Sequence, residues 1–344
     1  MTTVYLIRHA QCDGNLYRQY DGWYNTPLTP LGRQQAAALA RRFETIHLDA
    51  VYSSDQTRAM ETACAVAGPK GMAVQPHRGL RETNLGIWDH MDWGDIRALW
   101  PGQTEVYAKQ MHIWKALGAE RLRDVGCRVV DALWEIARAN DGKTVAVVSH
   151  GDVIQMAVGL LRGKTLEQLG HTGNYSTNTA VTKLEFDGGQ VRFVFEYDFT
   201  HLPPELVSRF ENDQKWGMRY RLLGFNDAFP LEGAENVPDR TEGIWIAGYL
   251  RDEPAALVQL RSSACGEPGE IGFYWIVPEF RGRRIGIQPM GKVVDTLRAL
   301  GAPSVRICLK DEKMRDYFAK RDDFHPIGGD VWERPIPPLA VLEP

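Results

Sequence analysis

Along residues 1–200 the apolar positions change rhythm several times. TVYLI (3–7), LDAVYSS (48–54) and KTVAVVSHG (143–151) are short apolar runs rich in β-branched residues, as expected of strands buried on both faces. Between them, TPLGRQQAAALARRFETI (29–46), DQTRAMETACAVA (55–67) and DVIQMAVGLL (152–161) space their apolar residues as helices do, the first with Thr29 as cap and Pro30 in its first turn. Strands alternating with helices predict an α/β domain of three layers, a largely parallel sheet covered on both faces. In such a sheet ligands collect at the carboxyl ends of the strands. Three strand ends deliver RHA, SSDQTR and SHG to one rim.

From residue 181 strict alternation takes over: VTKLEF and VRFVFEY flank a DGG turn, a hairpin that closes the first domain at 1–203, just before Pro204. Residues 204–240 read as a linker and the start of a second domain: PELVSRFENDQKWGMRYRLL as a helix, NDAFPLEGAENVPDRTEG as a loop. Across 241–335, IWIAGYL, AALVQLR, EIGFYWIV and SVRICL are strand-like, while PMGKVVDTLRALG and KMRDYFAKR are helical, giving a second α/β domain around a central mixed sheet. A chain of 344 residues accommodates two such cores.

Charge and cysteines narrow the function. The net charge of −4 is spread evenly, 21 Lys+Arg against 22 Asp+Glu in residues 1–200 and 19 against 22 thereafter, so bulk charge favours neither nucleic acid nor an anionic membrane. The five cysteines (Cys12, Cys64, Cys127, Cys265, Cys308) form no C-x-x-C pair, and we expect reduced thiols in a soluble cytoplasmic protein with no structural or catalytic metal. No stretch approaches the roughly 18 apolar residues of a membrane span. The oligomeric state is not readable.

The rim gathers chemistry suited to phosphate. Arginine forks match phosphate oxygens and stay charged at working pH, which marks Arg8 and Arg58. A neutral imidazole is a nucleophile towards phosphorus that requires no metal, the role open to His9 beside Arg8. A leaving alkoxide needs a proton, and Glu82, in the loop LRETNLGIWDH, is the candidate acid. His150 in VSHGD would face the oxygens of the transferring group.

LIRHAQCDGN (6–15) resembles the opening motif L-I/V-R-H-G-x-T-x-x-N of the histidine phosphatase superfamily, which shares its fold with the cofactor-dependent phosphoglycerate mutases. DGWYNTPLTPLGRQQA, VYSSDQTRAMETA, LRETNLGIWD and VSHG match its later segments in order. The resemblance implies that His9 is phosphorylated, that Arg8, Arg58 and His150 complete the phosphate pocket, and that Glu82 donates the proton. It further implies that Asn15, with Thr29 or Gln34, lines the substrate side. Ala10 and Cys12 depart from the usual glycine and threonine, and Asp89-His90 from Glu-Gly. Only 67 residues separate Glu82 from His150 and NLGIW lacks the mutases' tyrosine, which favours hydrolysis over phosphotransfer; Gly151 after His150 favours Glu82 as the acid.

In the second half, IGFYWIVPEFRGRRIG (271–286) ends a strand in a basic, glycine-containing loop before a helix, a recipe for binding pyrophosphate. It resembles the acetyl-CoA loop of GNAT-type N-acetyltransferases, Q/R-x-x-G-x-G/A, with Arg284 in place of the first signature glycine. The resemblance implies acetyl-CoA held by Val277 and by Arg281, Gly282, Arg283, Arg284, Ile285 and Gly286. For transfer to an amine acceptor, Glu270 is the candidate base and Tyr317 the candidate acid. If those two do not converge, the domain binds without catalysis. The expectation is therefore a metal-independent phosphomonoester hydrolase acting on a small phosphorylated substrate and joined to a GNAT-like domain. A two-domain sensor or adaptor without chemistry is the competing reading.

Overall fold

A computed structural model of the chain describes residues 1–169, 177–208, 217–224, 226–261, 266–340 and 342. The first sheet and its helices run β1 (Thr2–Arg8), α1 (Asp13–Tyr17), β2 (Gln19–Tyr20), α2 (Pro30–Phe43), β3 (Ala50–Ser53), α3 (Thr57–Ala67), β4 (Val74–Pro76), β5 (Met91–Asp92), α4 (Trp93–Leu99), α5 (Gln103–Lys109), α6 (Leu122–Ala139), β6 (Thr144–Ser149), α7 (Gly151–Leu161), β7 (Val181–Asp187) and β8 (Gln190–Asp198). Strand order is β4-β3-β6-β1-β7-β8, with the first four parallel and the β7–β8 hairpin antiparallel. Alternation along β1 builds the layers: Val4 and Leu6 pack with the α6 and α7 side, Tyr5 and Ile7 with the α2 and α3 side. Thr29 caps α2 as expected, its Oγ1 accepting from the Gly32 N–H at 3.0 Å. The hairpin turns at Gly188 and Gly189, both at positive φ.

The second sheet is built from β9 (Arg219–Leu223), β10 (Ile244–Leu250), β11 (Glu253–Arg261), β12 (Gly269–Ile276), β13 (Ser304–Cys308), β14 (His325–Gly328) and β15 (Val331–Pro335), with α8 (Gln288–Ala299) and α9 (Glu312–Asp322). Its order is β14-β15-β13-β12-β11-β10-β9, and it is mixed because β12 and β13 alone run parallel. The helix expected across 204–223 is corrected. Pro204–Leu206 makes one 3-10 turn, and Arg219–Leu223 pairs antiparallel with β10; residues 209–216 lie outside the described ones. Sheet pairing outweighs local helix propensity there.

The two parts share a core. Leu16 and Tyr17 of α1 lie among Ile246, Val258, Met290 and Val294 of the second part. Among the described residues no helix is long and apolar enough to cross a membrane.

Candidate active site

β1 and β6 are neighbours, and their pairing continues one step past the end of β1, where the His9 N–H donates to the carbonyl of Ser149, the last residue of β6, at 2.9 Å. This sets the His9 and His150 rings side by side, centroids 5.1 Å apart. His9 Nδ1 lies 2.6 Å from the Ala10 carbonyl oxygen. A carbonyl only accepts, so Nδ1 carries the proton and Nε2 keeps its lone pair. Burial, then the charges of Arg58 and Arg8, hold the His9 pKa well below the ordinary 6.5, and the same causes act on His150. Both rings are therefore neutral at working pH. Neither ring nitrogen of His150 has a hydrogen-bond partner among the described residues, although both are buried.

The two arginines are placed differently. Arg8 ends β1 and lies against Gly151, where a Cβ would come within 3.3 Å of its Nε, so a larger residue after His150 would press on this guanidinium. Arg58, on the first turn of α3 and 1% exposed, points its guanidinium into the loop that follows β2. Its Nη1 donates to Tyr24 O, and its Nη2 to Asp21 O and Gly22 O, all at 2.9 Å. Arg58 thus anchors that loop as well as supplying positive charge.

Glu82 is buried on the loop before α4. Its Oε1 accepts from the Thr83 N–H at 2.9 Å and its Oε2 from the Asp152 N–H at 3.3 Å, at the start of α7. Burial, reinforced by the nearby Asp152 charge, pushes its carboxyl up to about 7. Two residues not anticipated hold this loop. Gln56 Oε1 accepts from the Glu82 N–H at 2.8 Å, while Arg128 on α6 donates to the carbonyls of Gly79, Arg81 and Glu82 and pairs with Glu120. Gln56 lay within the SSDQTR strand end; nothing local in the sequence marked Arg128.

On the substrate side, Asn15 turns its Oδ1 inward to accept from Asn178 Nδ2 at 3.1 Å, and Asn178 also donates to His9 O at 3.0 Å. Asn178 is a further unanticipated support. Thr29 is committed as a helix cap and to Gln11 Oε1, 2.8 Å away. Gln34 is corrected: it is exposed on α2, and the inward residue is Gln35, whose Oε1 accepts from the Gln11 N–H at 2.9 Å.

The departures from the family pattern have local explanations. Ala10 is not among the non-glycine residues at positive φ, and its methyl packs with Leu28 and Ala36. Cys12 is buried, its thiol pushed up to about 11 by burial and by Asp21, which makes it a packing residue. Asp89 accepts from the N–H groups of Gly22, Trp23 and Tyr24, fastening by its N–H groups the loop whose carbonyls Arg58 holds.

In the second part, β12 and β13 pair only from Gly269–Ile271 to Val305–Ile307 and then part, opening a small cavity lined by Gly272, Tyr274, Lys310 and Met314. The loop after Val277 exposes Arg281, Gly282, Arg283 and Arg284, with Arg284 itself at φ 58° where the signature has glycine; Ile285 is buried, and Gly286 O accepts from Tyr274 Oη at 2.7 Å. Tyr317 is mostly buried beside this loop, since a Cβ on Gly286 would lie 3.5 Å from its hydroxyl. Glu270 sits at the other end of β12, exposed and paired with Arg261 at 2.8 Å. Six residues of strand amount to about 20 Å. The Glu270–Tyr317 acid–base pairing is therefore corrected: the two do not converge.

The family profile of the histidine phosphatase superfamily (branch 1) matches residues 4–198. Phosphoserine phosphatase 1 of Hydrogenobacter thermophilus is 28% identical over 185 residues, covering 54% of this chain and 88% of that protein. A 2,3-bisphosphoglycerate-dependent phosphoglycerate mutase of Allorhizobium ampelinum is 33% identical over 180 residues, 48% and 82%. Among solved structures, Bacillus stearothermophilus YhfR superposes with a TM-score of 0.56 at 34% identity, covering 58% of this chain and 99% of that one. A phosphoserine phosphatase from Entamoeba histolytica, solved with 3-phosphoglyceric acid, does so with a TM-score of 0.50 at 25% identity, 59% and 100%. With its two histidines, two arginines and buried glutamate assembled on one rim, the chain belongs to the histidine phosphatase superfamily, branch 1.

Proposed function

We propose that the chain is a phosphomonoester hydrolase working through phospho-His9 on small phosphorylated alcohols. The observation that carries this reading is the His9 Nδ1–Ala10 O contact of 2.6 Å, which aims an unprotonated Nε2 away from the backbone in a site charged by Arg8 and Arg58. Nε2 attacks phosphorus, the ester P–O bond breaks, and the leaving oxygen takes the proton of Glu82. Water then attacks phospho-His9 while the Glu82 carboxylate accepts its proton, releasing phosphate and restoring both groups. A carboxyl near pH 7 serves both steps. Arg8, Arg58 and His150 stabilise the charge on the transferring oxygens. The short span from Glu82 to His150 supports hydrolysis over mutase-type transfer, and phosphoserine phosphatases among the relatives support a small alcohol phosphate as substrate.

The test is turnover of 4-nitrophenyl phosphate and phosphoserine in the presence of chelator, with acid-labile phosphoenzyme trapped by quench. His9→Ala is expected to abolish both turnover and trapping. Turnover surviving in that variant would overturn the mechanism.

For the second part, we propose acyl-CoA binding without transfer. The parted β12 and β13 support it, because they expose unpaired backbone groups to an extended amide-bearing chain, next to the basic Arg281–Gly286 loop. Titration calorimetry with acetyl-CoA tests it, and no heat at millimolar ligand removes the reading.

A further inference from the structure

α8 of the second part reaches into the first at the loop that frames the phosphate site. His90 lies at that junction, 3.2 Å from Asp21 Oδ1 through Nδ1 and 2.8 Å from Asp295 Oδ1 through Nε2, with its ring stacked on Tyr24 at a centroid distance of 3.4 Å. Arg298, one helical turn after Asp295, donates to Asp295 Oδ1 at 3.1 Å and to the Tyr24 hydroxyl at 3.4 Å. Gln19 Nε2 donates to the second oxygen of Asp295 at 2.6 Å. Lys292, one turn earlier, faces Asp92 at 3.7 Å.

The loop so gripped lies on the leaving-group side. Arg58 holds its carbonyls from the phosphate side, and the Trp23 indole N–H donates to Glu82 O at 2.9 Å, next to the acid that would protonate the departing oxygen. The Asp21–Tyr24 backbone is therefore held by Arg58 and Asp89, and its Asp21 and Tyr24 side chains by the His90–Asp295–Arg298 group. Removing that outer group leaves the phosphate-binding charges and the Asp89 bonds in place and loosens the wall at Asp21 and Tyr24.

We infer that the second domain is a working part of the phosphatase mouth: Asp295 and Arg298 are positioning residues that fix the Asp21–Tyr24 loop through His90 and Tyr24 and thereby select the leaving group. The selectivity rests on the hydrolase reading; the positioning does not.

The experiment uses the full chain with Asp295→Asn, Arg298→Met and the conservative Asp295→Glu, each checked for a retained cooperative melting transition. Hydrogen exchange is read on peptides covering residues 13–25 and 89–95, with β6 as the internal reference. Faster exchange of those peptides in Asp295→Asn and Arg298→Met, by about tenfold for a lost coupling of about 1.4 kcal/mol, is expected, with β6 unchanged and Asp295→Glu recovering. The ratio of kcat/KM between a bulky and a small phosphomonoester should shift about tenfold, while inorganic phosphate, held by the His9 pocket, inhibits as before. Unchanged exchange, or a parallel loss for every substrate and for phosphate, overturns the inference. A wild-type chain that hydrolyses nothing defeats the hydrolase reading alone, because the exchange measurement still decides the positioning.

Discussion

Replacing Glu82 by Gln keeps the shape of the side chain and removes the only proton it can give. With its carboxyl at about 7 the acid form makes up about half of Glu82 at neutral pH, whereas an ordinary glutamate at 4.5 would be protonated about once in 300 molecules. Burial and the Asp152 charge therefore enrich the acid about 150-fold. General acid catalysis is worth about 10²–10⁴, and the full loss should fall on alkyl phosphates, whose alkoxide cannot leave unprotonated. For 4-nitrophenyl phosphate the loss should be about tenfold or less, because nitrophenolate leaves readily without a proton. The pH dependence supplies a second check. Wild-type kcat/KM should fall above pH 7, approaching tenfold per unit, and Glu82→Gln should lack that limb. His9 contributes no acidic limb near 6.5, since its pKa is held well below that value. Stopped-flow phosphoenzyme formation with phosphoserine and the aryl ester across pH 5–9 measures all of this. Equal losses on both substrates, or an alkaline limb that survives in Glu82→Gln, would refute the assignment.

Three further outcomes follow from the packing between the two parts and from the cysteines. Arg334 pairs with Asp13 at 2.7 Å and with Asp322 at 2.9 Å, and the Tyr17 hydroxyl donates to Asp322; Arg334→Ala strands two buried carboxylates and should cost about 3–5 kcal/mol in urea unfolding. One guanidinium shared by two acids explains why burial still pushes Asp322 up to about 7 while Arg334 itself is raised. At His90 burial opposes the charge, but the hydrogen bonds to Asp21 and Asp295 outweigh it and raise the pKa to about 10. Its stabilisation is then complete below about 6.5 and lost as pH rises through 10, so the gap in melting temperature between wild type and His90→Gln should be widest near pH 6 and close by pH 10.5. Finally, a thiol reagent should label the exposed Cys64, Cys127 and Cys308 in the native protein and spare the buried Cys12 until unfolding.

Much of the site was legible because strand ends announce themselves. Arg8, His9 and His150 each follow a continuous apolar run, and a parallel sheet brings such ends to one edge. Helix faces were harder. Gln34 and Gln35 differ by about 100° of helix rotation, and an alanine-rich stretch does not say which of the two faces inward. Residues that act by gripping backbone, such as Arg128 and Asn178, left no pattern at all, because the carbonyls they hold become neighbours only after folding. The case of α6 differs, since its buried Val125, Val129, Leu133 and Ile136 recur at helical spacing with charges on the opposite face and were legible in principle, whereas Arg219–Leu223 passes for a helix until its partner strand is in place. In the second half β10 to β13 with α8 and α9 were readable in order, whereas the edge strands β14 and β15 were not, and the distance between Glu270 and Tyr317 depends on the length of β12 and could not be seen from spacing.

Leu16 and Tyr17 sit only a few residues beyond the nucleophile, yet they are buried in the other part's core. The boundary that hydrophobic rhythm draws near residue 203 is thus a boundary of topology and not of cooperativity. Severed there, the first 203 residues would present Leu16, Tyr17 and an orphaned Asp13 to water beside the reaction centre, and the fragment should aggregate or lose its substrate wall. A chain so arranged holds its two parts as one unit: a substitution at this seam should be felt in the packing of both.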